Sequence, residues 1–113
     1  MEIAGKESAA MDYLVIMRMG DPKDAGLQRK RAELRDEHLA RASGYRERGH
    51  LVIGGALMDD AGKPTGSMAI ARFDSRKELD DWLQGDPWTI AGVYTDIEII
   101  PFRIADHYPQ AKG

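Results

Sequence analysis

The segment from Tyr13 to Met19, which reads YLVIMRM, limits the possible folds of this chain more than any other. Its apolar residues fall on both alternating faces of an extended strand, so such a strand must be covered on both sides. Asp21-Pro22 and Asp24 then supply a capping oxygen and a proline suited to the first turn of a helix. A long, highly charged helix is predicted from about Ala25 to Arg48, with Gly49 as its terminator.

The rest of the chain continues this alternation of strands and helices. Further strands are predicted at Leu51–Leu57, Ser67–Phe73 and Tyr94–Ile104. A capping box from Ser75 to Glu78 begins a second helix. The predicted buried face of that helix consists of Leu79, Trp82 and Leu83. A short extra helical turn is predicted from Asp86 to Gly92. The order β-α-β-β-α-β is that of the α+β ferredoxin-like fold, with both helices on one face of a four-stranded antiparallel sheet.

The opposite face of this sheet is predicted to be apolar as well. In the last strand, Ile97 and Ile99 alternate with Ile100 and Phe102, so each face of the strand receives two large apolar residues. Two helices cover only one side, and an exposed apolar sheet face of this size is an interaction surface. We therefore expect a symmetric homodimer in which the two sheets pack face to face.

Composition excludes several classes of protein. The 113 residues fit one domain, and 42% hydrophobic with 31% charged residues is typical of a soluble globular chain. A net charge of −3 argues against a broad surface for nucleic acid or for an anionic membrane. No apolar run approaches the ~20 residues of a membrane span, and the first ten residues lack the apolar core of a signal peptide. We expect a cytoplasmic protein with one domain at 11–104 and tails at 1–10 and 105–113.

His38 is the most informative polar residue of the sequence. At about 100° per residue it falls on the stripe of the first helix that faces the sheet, between Leu34 and Tyr45. An imidazole at such a position is partly removed from water. It is either a core histidine bonded to a backbone carbonyl or a proton-transfer group paired with a carboxylate.

Asp86 and Arg35 are the charged residues that would act with His38. Asp86 precedes Pro87 and is a natural helix cap. Because a carboxylate has two oxygens, it can cap a helix and also accept a proton from an imidazole. Arg35 lies one turn before His38 and would either hold an anionic group or remain a solvated cation.

The glycine pair Gly54-Gly55 and Ser67 are weaker candidates. Glycine inside a strand costs stability and often marks a bulge or a close backbone approach. Ser67 follows Gly66 and either contacts a ligand or completes the turn. The chain has no cysteine, its three histidines have no metal-ligand spacing, and it contains no glycine-rich phosphate loop. We therefore expect no metal and no redox cofactor.

Taken together, six segments in this order resemble the YCII-related (YciI-like) family. They are Arg35 to Arg41, Gly49 to Leu57, Gly66-Ser67, Asp86-Pro87-Trp88, Ala91 to Tyr94, and Ile100-Pro101-Phe102. The resemblance covers about Met11 to Ile104 and implies a dimeric α/β barrel of two ferredoxin-like subunits. It also implies an active site marked by one histidine and one aspartate, which match His38 and Asp86.

Arg35, Gly55 and Ser67 match other recurrent positions of the family. The chain departs from the pattern at Ala56, where proline is common, and at Trp88, where tyrosine is common. Trp88 therefore brings an apolar wall to the site but no phenolic hydroxyl. Some members of the family resemble dehydrochlorinating enzymes of chloroaromatic breakdown.

Three functions are compatible with the sequence. In the first, His38 and Asp86 perform acid–base chemistry of a lyase, isomerase or dehydrochlorinase on a small anionic or cyclic substrate, with Trp88 and Tyr45 walling an apolar pocket. In the second, the same cleft binds a metabolite without changing it, as a sensing or accessory module. In the third, the chain is an interaction protein, and His38 and Asp86 lie apart.

Overall fold

The structure, a computed structural model, describes residues 10–105. The tails predicted at 1–10 and 105–113 lie outside the described residues, except for residues 10 and 105 themselves. The elements are β1 (Met11–Met19), α1 (Ala25–Glu33), α2 (Arg35–Glu47), β2 (Leu51–Met58), β3 (Pro64–Phe73), α3 (Arg76–Gln84), α4 (Pro87–Ile90) and β4 (Tyr94–Phe102). The four strands form one antiparallel sheet in the order β2-β3-β1-β4. This order confirms the predicted α+β ferredoxin-like fold.

The two central strands supply most of the core. Val15, Met17 and Met19 of β1 are buried beneath the helices, while Leu14 and Ile16 are half-buried on the other face. The prediction of a strand that is apolar on both faces is therefore correct. Ala69, Ala71 and Phe73 of β3 continue the same buried layer.

Helix α3 closes one half of this layer as predicted. The Ser75 side chain accepts a hydrogen bond from the backbone amide of Glu78 at 3.2 Å, which caps the helix. Leu79, Trp82 and Leu83 are at most 5% exposed. At roughly 25 cal/mol per Å² of apolar surface, burial of these three side chains is a main source of stability in this half.

The predicted single helix from Ala25 to Arg48 is interrupted at Leu34, where α1 ends and α2 begins. Asp24 caps α1 as expected by accepting from the amides of Gly26 and Leu27. At the interruption, the carbonyl of Arg31 accepts a hydrogen bond from the Trp88 indole at 3.0 Å. This tertiary contact uses a carbonyl that an unbroken helix directs to the amide four residues later.

The face of the sheet opposite the helices remains open. Ile97 and Ile99 pack on the core, whereas Ile100 and Phe102 are each 39% exposed on the open face. Charged pairs border this apolar patch: Arg18 binds Asp96 and Glu98, and Arg72 binds Asp12. The face-to-face homodimer stays a prediction. None of the helices in residues 10–105 is long and apolar enough to cross a membrane.

Candidate active site

His38 and Asp86 meet although 48 residues separate them in the sequence. His38 lies one turn into α2, and Asp86 is the residue that caps α4. The Nδ1 atom of His38 is 2.8 Å from Oδ2 and 3.0 Å from Oδ1 of Asp86. Both side chains are largely removed from water, with 17% of the imidazole and 7% of the carboxylate exposed. Such a contact between buried polar groups is strong because water competes little for it.

Asp86 has both of the roles that the sequence left open. Its Oδ1 accepts a hydrogen bond from the backbone amide of Trp88 at 2.8 Å and so caps the short helix α4. The same carboxylate accepts from the imidazole. Because a carboxylate only accepts hydrogen bonds, we assign the proton of the neutral imidazole to Nδ1. The Nε2 atom has no hydrogen-bond partner among residues 10–105 and is left with its lone pair.

Trp88 fixes the plane of the imidazole. The two rings are stacked at 3.6 Å between centroids with an interplanar angle of 14°. The guanidinium of Arg31 also lies over the indole, 4.5 Å from its centroid, and the indole N–H binds the Arg31 backbone. Burial lowers the pKa of Arg31, whose guanidinium nevertheless stays charged at neutral pH.

A cleft of about 550 Å³ opens between α2 and the β2–β3 edge of the sheet, beside this histidine. Its volume is that of a small-molecule binding site. Its floor is made of small residues on neighbouring strands: Gly54 pairs with Ala69, and Ala56 pairs with Ser67. The absence of long side chains on this floor explains why α2 leaves open space above it.

The cleft is rich in positive charge. Arg31, Arg35 and Arg46 line it, and Asp86 is the one carboxylate of the described lining, already bound to His38. Arg35 is exposed at the cleft, which fits both alternatives left open by the sequence, an anion-binding group and a solvated cation. Arg46 lies three turns further along α2 on the same face. The arrangement favours an anionic or oxygen-rich ligand.

Ser67 lines the floor of the cleft and forms a hydrogen bond with Tyr94. The phenol oxygen is 2.7 Å from Ser67 Oγ, and both residues are less than 9% exposed. Burial raises the pKa of Tyr94 above its ordinary value of 10.0, so the phenol keeps its proton.

The glycine pair is divided between the two faces of the sheet. Gly54 faces the helices and the cleft, since a Cβ there would lie 4.0 Å from that of Ala69. Gly55 pairs with Met68 on the open face and lines the cleft through its backbone. The irregularities of register fall at Leu51/Ile53 and Leu57/Met58, so the glycines are not themselves a bulge.

One predicted wall residue is outside the cleft. Tyr45 packs edge-on against Phe73 beneath Arg41 and Arg48, because its position on α2 points it toward the far end of β3. No site role is predicted from the sequence for Arg31, Arg46 or Tyr94. Arg31 could have been found from its seven-residue spacing to His38, which places both on one helix face.

Within residues 10–105, no three side chains of the His, Cys, Asp and Glu types come close enough together to hold an ion.

Comparison with known proteins agrees with this fold. The model of the YCII-related domain matches residues 11–103 of the chain. The chain belongs to the YCII-related family. Protein YciI of Escherichia coli is 35% identical to it over 80 residues, which are 66% of this chain and 82% of YciI. A protein of Haemophilus influenzae shows the same identity and coverage.

One solved structure has the same fold as this YCII-related protein. It is 5-chloro-2-hydroxyhydroquinone dehydrochlorinase (TftG) from Burkholderia phenoliruptrix AC1100, in complex with 2,5-dihydroxybenzoquinone. The TM-score is 0.70 with 23% identity, and the match covers 88% of this chain and all of TftG. A likeness at this level of identity establishes the common fold.

Proposed function

We propose that this YCII-related protein is a small-molecule enzyme, a lyase or isomerase in which His38 is the general base. One observation carries the proposal: Nδ1 of His38 is bound to the buried carboxylate of Asp86, which leaves the lone pair of Nε2 for a substrate. His38 and Asp86 both line the cleft. A base held in one tautomer beside a cavity is the arrangement that general acid–base catalysis requires.

The proposed reaction begins when Nε2 takes a proton from a carbon or hydroxyl group of the substrate. The electron pair left behind forms a new double bond within the substrate. In an elimination it expels an anionic leaving group, and in an isomerisation the imidazolium returns the proton to another substrate atom. Asp86 stabilises the imidazolium throughout, because its negative charge lies 2.8 Å from Nδ1.

The substrate class that fits this site is a small ring with acidic oxygen substituents. The arginines that line the cleft attract negative charge. Stacking on Trp88 fixes the plane of the His38 ring, so that the ring does not rotate freely beside a flat ligand. The dihydroxyquinone bound by TftG belongs to this chemical class. Arg35 is the residue that we expect to receive the anionic oxygen, and Trp88 supplies the apolar wall.

The proposal is tested with 5-chloro-2-hydroxyhydroquinone and related hydroxylated chloroaromatics as substrates, by measuring chloride release. Replacing His38 with Asn is expected to lower kcat by roughly 10²- to 10⁴-fold, because the proton acceptor is lost. His50→Asn is the control, since His50 binds the carbonyl of Arg72 and lies outside the cleft lining. Circular dichroism verifies that both variants are folded.

The competing function is a metabolite-binding module. Binding is followed with 2,5-dihydroxybenzoquinone, which is expected to quench the fluorescence of Trp88 when it enters the cleft. If the chloroaromatics bind but are recovered unchanged, and His38→Asn binds them as tightly as the wild type, the enzyme proposal is wrong. The binding module would then be favoured.

We also propose that the open sheet face pairs with a second copy of the chain. The half-exposed side chains of Ile100 and Phe102 are uncovered apolar surface on that face. Ile100→Glu is expected to convert a dimer into a monomer in sedimentation velocity. Ile90→Glu is the control, because Ile90 is 72% exposed but lies on α4. A wild-type protein that sediments as a monomer at micromolar concentration would contradict the dimer.

A further inference from the structure

Tyr94 and Ser67 form a buried hydroxyl pair that the acid–base mechanism above does not use. Ser67 lies on β3 and Tyr94 begins β4, with β1 between the two strands. The phenol reaches across β1 beneath the helices to Ser67 Oγ at 2.7 Å. Tyr94 is 7% and Ser67 8% exposed, so water does not readily replace either partner.

The direction of this hydrogen bond follows from the chemistry of the two hydroxyls. A phenol is more acidic than an alcohol and is the better donor, so Tyr94 donates and Ser67 accepts. Burial raises the pKa of Tyr94, which keeps the phenol in its donating form. The hydroxyl proton of Ser67 is then turned away from Tyr94. Among residues 10–105 no acceptor for that proton is present, and Ser67 borders the cleft.

The pair is packed into the same structure that holds the base. Tyr94 meets Trp88 edge-on, with 5.9 Å between centroids and an angle of 89°. Trp88 in turn stacks on His38. The imidazole and the Ser67 hydroxyl are therefore fixed relative to one another by a single aromatic cluster. A donor and a base held in this way are suited to opposite ends of one small ligand.

We propose that Ser67 donates a hydrogen bond to an oxygen of the substrate and that Tyr94 is the positioning residue that aims this donor. The inference rests on the proposed function, since it concerns the same cleft. Donation from Ser67 strengthens when negative charge develops on the substrate oxygen after His38 removes a proton. Tyr94 does not touch the ligand and acts through Ser67 alone.

The experiment is a double-mutant cycle on ligand binding. Wild type, Tyr94→Phe, Ser67→Ala and the double variant are titrated with 2,5-dihydroxybenzoquinone, by fluorescence quenching and by the visible absorption of the bound quinone. Each single variant is expected to bind roughly 10- to 100-fold more weakly, the usual effect of losing one hydrogen bond to a charged oxygen. The double variant is expected to match Ser67→Ala, because Tyr94 has no effect once the serine hydroxyl is gone.

Tyr45→Phe is the matched control for the loss of a phenol. Its hydroxyl receives a 3.4 Å contact from Arg41 and is outside the cleft lining, so binding and the quinone spectrum are expected to be unchanged. If Tyr94 had only a structural role, Tyr94→Phe would lower the free energy of unfolding but would not shift the absorption of the bound quinone.

The outcomes separate this inference from the proposed function. If Tyr94→Phe binds as tightly as the wild type, or if the two losses add in the double variant, the positioning role is wrong while the function stands. If the wild type binds none of the quinone or chloroaromatic probes, the proposed function is wrong and this inference with it. Equal losses in the two single variants and the double variant support it.

Discussion

The two halves of the helical layer differ in how completely they are packed. Helix α3 buries Leu79, Trp82 and Leu83 against the sheet. Helices α1 and α2, both within residues 10–105, contain no fully buried residue. Their side chains that face the sheet are only half-buried. The cleft lies in the second half, between α2 and β2. The difference indicates that the cleft exists because α2 packs incompletely over a floor of small residues.

The candidate site joins the two halves. His38 comes from the loosely packed half, whereas Asp86 and Trp88 lie at the start of the short helix that follows α3 and are both buried. The loosely packed helix thus carries His38, and the tightly packed region carries the groups that fix the tautomer and the plane of its ring. This division keeps the imidazole oriented without requiring α2 to close over the cleft.

The largest expected effect on stability distinguishes the two halves directly. Leu79→Ala removes a side chain with no exposed surface and is expected to lower the free energy of unfolding by about 2–5 kcal/mol. Leu39→Ala on α2 removes one that is 43% exposed and is expected to change it by less than about 0.5 kcal/mol. Urea denaturation measures both. Equal losses would mean that α2 is as tightly packed as α3.

The next-largest expected change in the free energy of unfolding comes from a comparison of two helix caps. Asp86 caps α4 at a buried position and also binds His38, while Asp24 caps α1 at an exposed position. Asp86→Ala is expected to cost about 2–3 kcal/mol, because a cap and the partner of a buried imidazole are lost together.

Asp24→Ala is the matched variant, and about 0.5–1 kcal/mol is expected from the loss of a cap alone. Thermal or urea unfolding of both proteins, with the wild type alongside, measures the difference. If the two variants lose the same stability, the contact with His38 contributes nothing beyond capping.

The tightly packed half is also the half that local sequence patterns predict best. The capping box at Ser75 and the stripe of Leu79, Trp82 and Leu83 are set by neighbours within one or two turns. The interruption at Leu34 was not predicted, since the accompanying bond from Trp88 comes from 57 residues away. Local propensity has no access to such a contact.

The same limit applies to the site. Helical periodicity placed His38 on the inner face of its helix, but no spacing rule could pair it with Asp86, and that pairing came from the family resemblance. No local pattern predicts a site role for Arg46, because the gap beside β2 that lets it line a cleft is a tertiary feature. The bond between Tyr94 and Ser67 spans three strands of the sheet and has no local sequence signal.

The smallest effect on stability tests the floor of the cleft with the glycine pair. Neither Gly54 nor Gly55 has a positive φ, and a Cβ at Gly54 would meet only ordinary contacts, the nearest 3.5 Å away. Valine at either position is therefore expected to raise the free energy of unfolding by about 0.5–1 kcal/mol, because glycine inside a strand carries an entropic cost. The effect on binding should differ, since Gly54 faces the cleft and Gly55 faces the open side of the sheet.

Titration with 2,5-dihydroxybenzoquinone is expected to show at least tenfold weaker binding for Gly54→Val than for Gly55→Val, because only the first places its methyl groups in the ligand volume. Gly55→Val keeps the backbone that lines the cleft, and sedimentation of this variant tests whether the proposed pairing of two open faces tolerates a larger side chain there. The reverse order of affinities would mean that the ligand approaches β2 from the open face. Equal affinity of Gly54→Val and wild type would mean that the ligand does not reach the floor, and that the packing difference between the two halves does not form the binding site.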